Sequence, residues 1–397
     1  MGKLLLKMLA FAGTYASVFG AADNAALEAK MDKIFALSVQ RYYSPATNQF
    51  YGRDPATTPS PEDIKKFLPL KKNGVTNWHG GGSGMEDNSL FNGVVLAALC
   101  DKYEVAKDET VTETARKLSK GLRLNATGHG DSGFVARGVS PVDQKTVYWG
   151  TSIDQYTNFI YGQWRFARSP MATDADRREI AKIFVDIAEK MLREAKPDAV
   201  PPNSFKFYKG FPDDRGTGKV VFDKPTEASM RLVMFYAAAY DATKNKKYFA
   251  LYRKYLPAAI EGSLQYGENG PQAKYKGQVP AYTIPQMAYA LDLVYNVETD
   301  AAYRAQLLKA IEGFAKQAVE HKFYKLTDGN IAKTSPRDVS EIFIGEFMNP
   351  NVKLSAEREK YFRDNVSRLN GYYAGSNYMT LGAYWLARKR GLFPIQK

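Results

Sequence analysis

The sequence predicts an all-α fold in which six inner and six outer helices alternate along the chain, an (α/α)6 toroid. Three observations support this prediction: apolar residues recur at helical spacing, long connections alternate with short ones, and the helices alternate between two compositions. The twelve helices are expected at 25–43, 88–104, 109–125, 152–168, 174–195, 226–243, 246–265, 283–297, 300–321, 337–348, 355–372 and 377–390.

The connections predict stacked helical hairpins with one elaborated face. The connections that precede the even-numbered helices are long, at 44–87, 126–151, 196–225, 266–282 and 322–336. The others are short, at 105–108, 169–173, 244–245, 298–299 and 349–354. Long loops in compact domains are often functional, so we expect the ligand cavity on the long-loop face.

The composition of the helices separates an inner from an outer set. The sixth helix is apolar around most of its girth at 230–240, as interior helices are, whereas the fifth carries charge on one face at 177–190. An irregular bundle or an α-solenoid is the alternative, although no fixed-period repeat supports a solenoid. Strand signals are few, and 205–208 with 219–222 could form a small hairpin in a loop.

The start of the chain has the features of a secretory signal peptide over residues 1–22. Lys3 and Lys7 precede a short apolar stretch, and Gly20-Ala21-Ala22 provides a small-residue cleavage site. Residues 23–397 would then form a single catalytic domain. No later segment reaches the roughly 18 apolar residues of a membrane span. Cys100 is the only cysteine and is expected in the core, and export without a disulfide favours a bacterial periplasmic or secreted protein.

The formal net charge of +13 suggests an anionic partner, such as an acidic polysaccharide, a nucleic acid or a membrane surface. Lysine and arginine are scattered and no nucleic-acid-binding module is present, which disfavours nucleic acid. The 13% of aromatic residues suits the faces of sugars. A charged surface that merely keeps the protein soluble is the alternative.

Two acidic residues stand at the start of apolar helices, Asp87 within 84–93 and Asp154 within 148–157. The helix dipole favours a carboxylate in the first turn, and Thr151 or Ser152 is expected to cap the second helix. We predict that Asp87 and Asp154 form the core of a sugar-processing site. The alternative is that Asp87 and its neighbour Glu86 are helix caps.

The long loops supply further candidates for substrate binding. Trp78 and His79 precede a glycine-rich stretch, Gly80-Gly81-Gly82-Ser83-Gly84, that allows close approach to a ligand, although no Walker A sequence follows. In the second loop, His129 could act as an acid or base and Arg137 could bind a carboxylate, unless Asp131 pairs with Arg137 and only shapes the loop. The other binding candidates near inner-helix starts are Glu86, Tyr148, Trp149, Gln155, Tyr156, Arg215 and Glu227. Weaker ones, more typical of caps or core groups, are Tyr275, Tyr282, Arg337, Asn377 and Tyr378.

No cofactor is predicted. The three histidines are His79, His129 and His321, and there is neither an HExxH motif nor a cysteine cluster, so we expect no metal site, with calcium held by loop carboxylates left open. The absence of a GxSxG sequence disfavours a serine hydrolase.

The predicted architecture over 25–390 and two local sequences, Glu86-Asp87-Asn88-Ser89-Leu90-Phe91 and Ile153-Asp154-Gln155-Tyr156-Thr157-Asn158, resemble the six-hairpin glycosidase superfamily. Within it, the unsaturated glucuronyl and rhamnogalacturonyl hydrolases are the nearest group. The resemblance implies that the two aspartates face each other across the pocket. Asp154 would protonate the enol-ether double bond of a 4,5-unsaturated uronic acid and activate water, and Asp87 would assist. Basic and aromatic residues would hold the uronate.

We therefore expect an exported glycoside hydrolase that acts on an acidic oligo- or polysaccharide. An ordinary glycosidase with a carboxylate pair is also compatible with this architecture. A polysaccharide lyase is a second possibility, with proton abstraction by His129, Tyr148 or Tyr156 and charge neutralisation by Arg137. A non-catalytic glycan-binding protein is a third. The sequence does not specify the sugar, the linkage, exo or endo action, or the oligomeric state.

Overall fold

The structure is a computed structural model that describes residues 23–66, 71–72, 75–76, 83–148, 151–194, 229–270, 279–321 and 334–395. The predicted signal peptide at 1–22 and the predicted hairpin at 205–208 and 219–222 lie outside the described residues. Among the helices that are described, none is both long and apolar enough to cross a membrane.

The fold is mainly helical, as predicted. Helix α1 covers 23–42 and is followed by α2 (Pro61–Lys66), α3 (Asn88–Ala106), α4 (Thr110–Thr127), α5 (Ile153–Arg168), α6 (Asp174–Glu194), α7 (Met230–Thr243), α8 (Lys246–Asn269), α9 (Thr283–Val297), α10 (Ala301–Val319), α11 (Pro336–Phe347), α12 (Ala356–Ser367) and α13 (Ala374–Lys389). The short strands β1 (Tyr43–Ser44) and β2 (Gln49–Phe50) pair antiparallel, as do β3 (Lys71–Lys72) and β4 (Val75–Thr76).

Every predicted helix is present, with differences at the ends. Helix α12 ends at Ser367 instead of residue 372 because the chain turns at Gly371, whose φ of 84° is incompatible with a helix. Helix α13 begins three residues earlier than predicted, at Ala374. The short helix α2 and the two strand pairs were not predicted.

Burial separates two sets of helices. In α3 every residue from Asn88 to Asp101 is buried, and α5, α7, α9, α11 and α13 are buried around most of their girth in the same way. In α6 the buried residues recur at helical spacing and define one face, from Ile180 to Met191. Burial thus distinguishes helices that are buried around most of their girth, called inner helices below, from α6, which is buried on one face; the helices that lie against the inner ones are called outer.

The inner helices contact one another in succession. Helix α3 packs on α5, α5 on α7, α7 on α9, α9 on α11, α11 on α13, and α13 on α3. The outer helices lie against them, with α4 on α3, α6 on α5 and α7, α8 on α7, α10 on α9 and α11, and α12 on α11. Helices α5 and α9 also touch, and Tyr161 and Tyr289 stack between them with ring centres 4.1 Å apart.

Helices α3 and α5 approach each other most closely at two glycines. A Cβ atom on Gly93 would lie 2.1 Å from the backbone oxygen of Asn158, and one on Gly162 would lie 2.5 Å from the backbone oxygen of Gly93. Both distances are below van der Waals contact, so only glycine permits this spacing.

Ion pairs join the carboxyl-terminal parts of the inner helices, and the pair between Arg165 and Asp101 is buried. Arg165 Nη2 lies 2.6 Å from Asp101 Oδ1 and 2.8 Å from Glu104 Oε1, and Lys389 Nζ lies 2.9 Å from Glu104 Oε2. Cys100 is buried next to them, as predicted, and burial raises the pKa of its thiol to about 12.

Candidate functional site

Side chains from the first turns of the inner helices meet at the opposite end. Asp87 lies directly before α3 and accepts hydrogen bonds at Oδ1 from Arg137 Nη1 (3.2 Å) and from Gln155 Nε2 (3.0 Å). Arg337 Nη1 of α11 lies 3.7 Å from Asp87 Oδ2. Although Asp87 occupies the N-cap position of α3, its side chain makes no capping hydrogen bond. The alternative that Asp87 is a helix cap is therefore wrong, because its carboxylate is bound by other elements.

Arg137 and Gln155 are themselves fixed in place. Arg137 Nη1 also donates to the Glu86 carbonyl oxygen at 2.6 Å. Gln155 is fully buried and its Oε1 accepts from the Leu90 N–H at 3.0 Å. The donors that hold Asp87 are thus anchored to the backbone at the start of α3, which restricts the carboxylate to one position.

Asp154 has a separate partner. It lies in the first turn of α5, as predicted, and its Oδ1 accepts a hydrogen bond of 2.8 Å from Arg231 Nη1 of α7. The same Nη1 donates to Gln286 Oε1 of α9 at 2.9 Å. About a quarter of the Asp154 side chain is exposed (24%), compared with 7% of Arg231. The Asp154 carboxylate is therefore more exposed than the guanidinium that binds it.

The predicted cap of α5 is wrong. Ser152 occupies the N-cap position but makes no side-chain cap hydrogen bond. The Thr151 hydroxyl instead donates to the Val135 carbonyl oxygen at 2.5 Å, which ties the start of α5 to the preceding loop.

Arg337 and Glu341 form an ion pair within α11. Arg337 Nε donates to Glu341 Oε1 at 2.8 Å, and its guanidinium carbon lies 5.2 Å from the centre of the Phe91 ring. Glu341 is only 1% exposed, and burial raises the pKa of its carboxyl to about 7 despite the adjacent Arg337. Its Oε2 has no hydrogen-bond partner among the described residues.

Sequence reasoning missed Arg231 and Glu341 and ranked Arg337 among the weaker candidates. A signal was present, because Arg231 and Glu341 interrupt stretches that are otherwise apolar and buried. Burial of an unpaired charge destabilises the folded state, so a charged residue in such a stretch predicts that a partner of opposite charge or a hydrogen-bonding group is buried beside it.

The second long loop is organised differently from the prediction. His129 Nδ1 accepts from the Asp131 N–H at 3.1 Å, which leaves the ring proton on Nε2, 3.1 Å from the Asn125 carbonyl oxygen. The Asp131 carboxylate lies 3.5 Å from Lys190 Nζ. The alternative that Asp131 pairs with Arg137 is therefore wrong, since Arg137 binds Asp87.

Two of the tyrosines proposed as ligands or bases are fully buried. The Tyr156 hydroxyl donates to the Gly133 carbonyl oxygen (3.0 Å) and accepts from the Val135 N–H (3.2 Å). Tyr148 packs with Tyr51, Ile64 and Met85. Neither side chain is exposed to a ligand, and this placement favours a role in holding the loop.

The remaining candidates fall in several places. Glu86 is partly exposed and its Oε1 accepts from the Ser83 N–H at 2.9 Å. Asn377 and Tyr378 are buried, and the Tyr378 hydroxyl donates to the Tyr51 carbonyl oxygen at 2.9 Å. Tyr282 is exposed. Candidates that lie outside the described residues are Trp78, His79, Trp149, Arg215, Glu227 and Tyr275.

The cluster combines accessible carboxylates with an accessible cation. About a quarter of the Asp87, Asp154 and Arg337 side chains is exposed, whereas Arg137, Arg231 and Glu341 are buried behind them. Such a surface can bind an anion and exchange protons with a ligand. Within the described ranges, no group of three or more histidine, cysteine or acidic residues could hold a metal ion.

A comparison of the sequence with known protein families and with curated proteins found no match in either. The function of the cluster is therefore argued from its geometry.

Proposed function

We propose that the protein is an exported glycoside hydrolase with an (α/α)6 toroid that acts on an acidic, uronic-acid-containing oligo- or polysaccharide. The toroid is supported by the succession of inner-helix contacts that returns from α13 to α3. The site is supported above all by one observation. Asp87 and Asp154, at the starts of two adjacent inner helices, are both partly exposed and both bound to arginine.

In the proposed reaction, Asp154 donates a proton to the double bond of a 4,5-unsaturated uronic acid and activates the water that adds to it. The proton of the protonated Asp154 goes to C4, the water oxygen goes to C5, which bears the ring oxygen, and the water returns a proton to Asp154. The hemiketal that results opens at C5, and the hemiacetal left at C1 then releases the glycosidic leaving group as an alcohol. The Asp154 carboxylate is held by Arg231 at 2.8 Å, which fixes its orientation. Asp87 assists from the start of α3, and the arginines of the cluster favour an anionic ligand.

The test follows the ultraviolet absorbance of unsaturated uronides, which is lost when water adds to the double bond. We expect wild-type protein to remove this absorbance and Asp154→Asn to be at least about 100-fold slower, as is typical when a general acid is lost. Asp174→Asn is the matched control, because Asp174 lies in the first turn of the outer helix α6 and its side chain is 85% exposed. The control should keep the wild-type rate, and circular dichroism should show that all three proteins are folded at the temperature of the assay.

Other outcomes would contradict the proposal in distinct ways. An Asp154→Asn variant with the wild-type rate would exclude Asp154 as the acid. A rise in absorbance on intact acidic polysaccharides would indicate a lyase. Binding of oligosaccharides without turnover would indicate a glycan-binding protein.

A further inference from the structure

Arg337 differs from the other two arginines of the cluster in its accessibility. Its side chain is 29% exposed, compared with 5% for Arg137 and 7% for Arg231. Its Nε donates to Glu341, but its Nη1 and Nη2 groups donate no hydrogen bond to another described residue, since the contact with Asp87 Oδ2 is 3.7 Å long. Arg337 therefore presents two N–H-bearing nitrogens to an incoming ligand.

The fold provides a slot for this side chain. The guanidinium lies over the face of Phe91. A Cβ atom on Gly375, in the first turn of α13, would lie 3.4 Å from Arg337 Cδ and 3.0 Å from Phe91 Cζ. Glycine at this position thus leaves room for both side chains, and the planar guanidinium is held ready for a planar anion such as a carboxylate.

The charge around Arg337 depends on Glu341. Asp87 already accepts a hydrogen bond from Arg137, so one carboxylate stands between two guanidiniums. When Glu341 is neutral, these three groups carry a net positive charge that a carboxylate ligand would neutralise. When Glu341 is ionised, it supplies that negative charge from within the protein and competes with the ligand for Arg337.

We propose that Arg337 binds the carboxylate of the substrate and that Glu341 is a positioning residue that regulates this binding by gaining or losing a proton. The inference rests on the proposed function, since it assigns a residue to the acidic group of that substrate. The charged and titratable groups that face Glu341 are Arg337 and Asp338 on its own helix, Asp87 before α3, and Tyr289 on α9.

The experiment measures binding of D-glucuronate and D-galacturonate by ligand-observed nuclear magnetic resonance at pH 6 and pH 8, with D-glucose and D-galactose as neutral counterparts. In the wild type, uronate affinity should be about tenfold higher at pH 6, in proportion to the fraction of protein with neutral Glu341. Glu341→Gln should bind uronates equally at both pH values. Arg337→Gln should bind them at least about tenfold more weakly than the wild type at pH 6, because a charge-assisted pair is lost.

Arg168→Gln is the matched control and should behave as the wild type, because Arg168 lies at the far end of α5 and its side chain is 46% exposed. Uronate binding that survives in Arg337→Gln would overturn this inference and leave the proposed function intact. A pH effect that persists in Glu341→Gln would overturn the role of Glu341. A wild type that binds no uronate at either pH would overturn the acidic substrate class, and this inference with it. If Arg337→Gln does not fold, Arg337→Lys replaces it, because lysine keeps the positive charge but lacks the planar set of N–H donors of the guanidinium.

Discussion

At the scale of single residues, Glu341 makes the stability of the protein depend on pH. Its pKa is raised from 4.5 to about 7 because the folded protein buries it. The folded state therefore binds the proton more tightly than the unfolded state does. The resulting stabilisation is fully present below pH 4.5 and is lost as the pH rises through 7. At about 1.4 kcal/mol for each pKa unit, the full loss is about 3 kcal/mol.

We predict that Glu341→Gln removes most of this dependence. Between pH 5 and pH 8, the free energy of unfolding of the wild type should fall by roughly 2 kcal/mol more than that of the variant. Urea titrations at the two pH values measure the difference. Glu113→Gln is the control, because the Glu113 side chain on α4 is 77% exposed, and it should keep the wild-type dependence. The prediction would be contradicted if the free energy of unfolding fell by the same amount between pH 5 and pH 8 in Glu341→Gln and in the wild type.

The sequence identified acidic residues of the cluster but not their partners. Asp87 and Asp154 could be predicted because each stands at the start of an apolar helix. Arg137 is 50 residues from Asp87, and Arg231 is 77 residues from Asp154. Periodicity does not encode which helices become neighbours, because that depends on tertiary packing. The sequence therefore predicts Arg137 as a ligand for the substrate but not as the partner of Asp87.

At the scale of elements, the contact between α3 and α5 sets the distance between Asp87 and Asp154. We predict that Gly93→Ala destabilises the protein by about 1–3 kcal/mol, the usual cost of overpacking, because the new methyl group would overlap the Asn158 carbonyl. The separation of the two helices would also displace the carboxylates, so the proposed hydrolysis should slow in the fraction of the protein that folds. Thermal unfolding and the absorbance assay measure the two effects.

Gly52→Ala is the control for this substitution. A Cβ atom on Gly52 would meet its nearest neighbour, the Gly84 carbonyl oxygen, at 3.4 Å, which is ordinary contact. Its stability should stay within about 1 kcal/mol of the wild type. If Gly93→Ala were as stable as Gly52→Ala, the close approach of α3 and α5 would not be needed for the fold.

Helix positions were predictable because the inner and outer helices are long and strongly periodic. Elements of two to six residues, such as β1 and α2, were missed because they are too short to show a period. The cap of α5 failed for another reason. Ser152 occupies the N-cap position without accepting a hydrogen bond from a helix N–H, and the Thr151 hydroxyl donates to the Val135 carbonyl across the loop.

At the scale of the whole molecule, the first and last helices share one core. Glu28 of α1 accepts a hydrogen bond from the Tyr384 hydroxyl at 3.1 Å and pairs with Arg388, both in α13. Asn24 Nδ2 donates to the Pro394 carbonyl oxygen at 2.8 Å. We therefore predict a single cooperative unfolding transition, as for one domain.

Circular dichroism at 222 nm, which follows all helices, and tryptophan fluorescence should give the same midpoint. Arg388→Met should lower both midpoints by the same amount, because it leaves Glu28 with the Tyr384 hydroxyl but without its cationic partner in the contact between the helices. Arg178→Met, at an exposed position of α6, should leave them unchanged. Two separate unfolding transitions would show that the chain contains more than one cooperatively folded domain.

The contact between α13 and α3 also bears on how such a chain can change during evolution. In an open array, a duplicated hairpin can be added at either end without disturbing its neighbours. Here an added hairpin would have to separate α13 from α3 and expose the apolar faces of both. Growth by duplication is thus blocked, and new length is accommodated in the connections between helices. The long connections before the inner helices, on the face that carries Asp87 and Asp154, are where such a chain can gain length without separating packed helices.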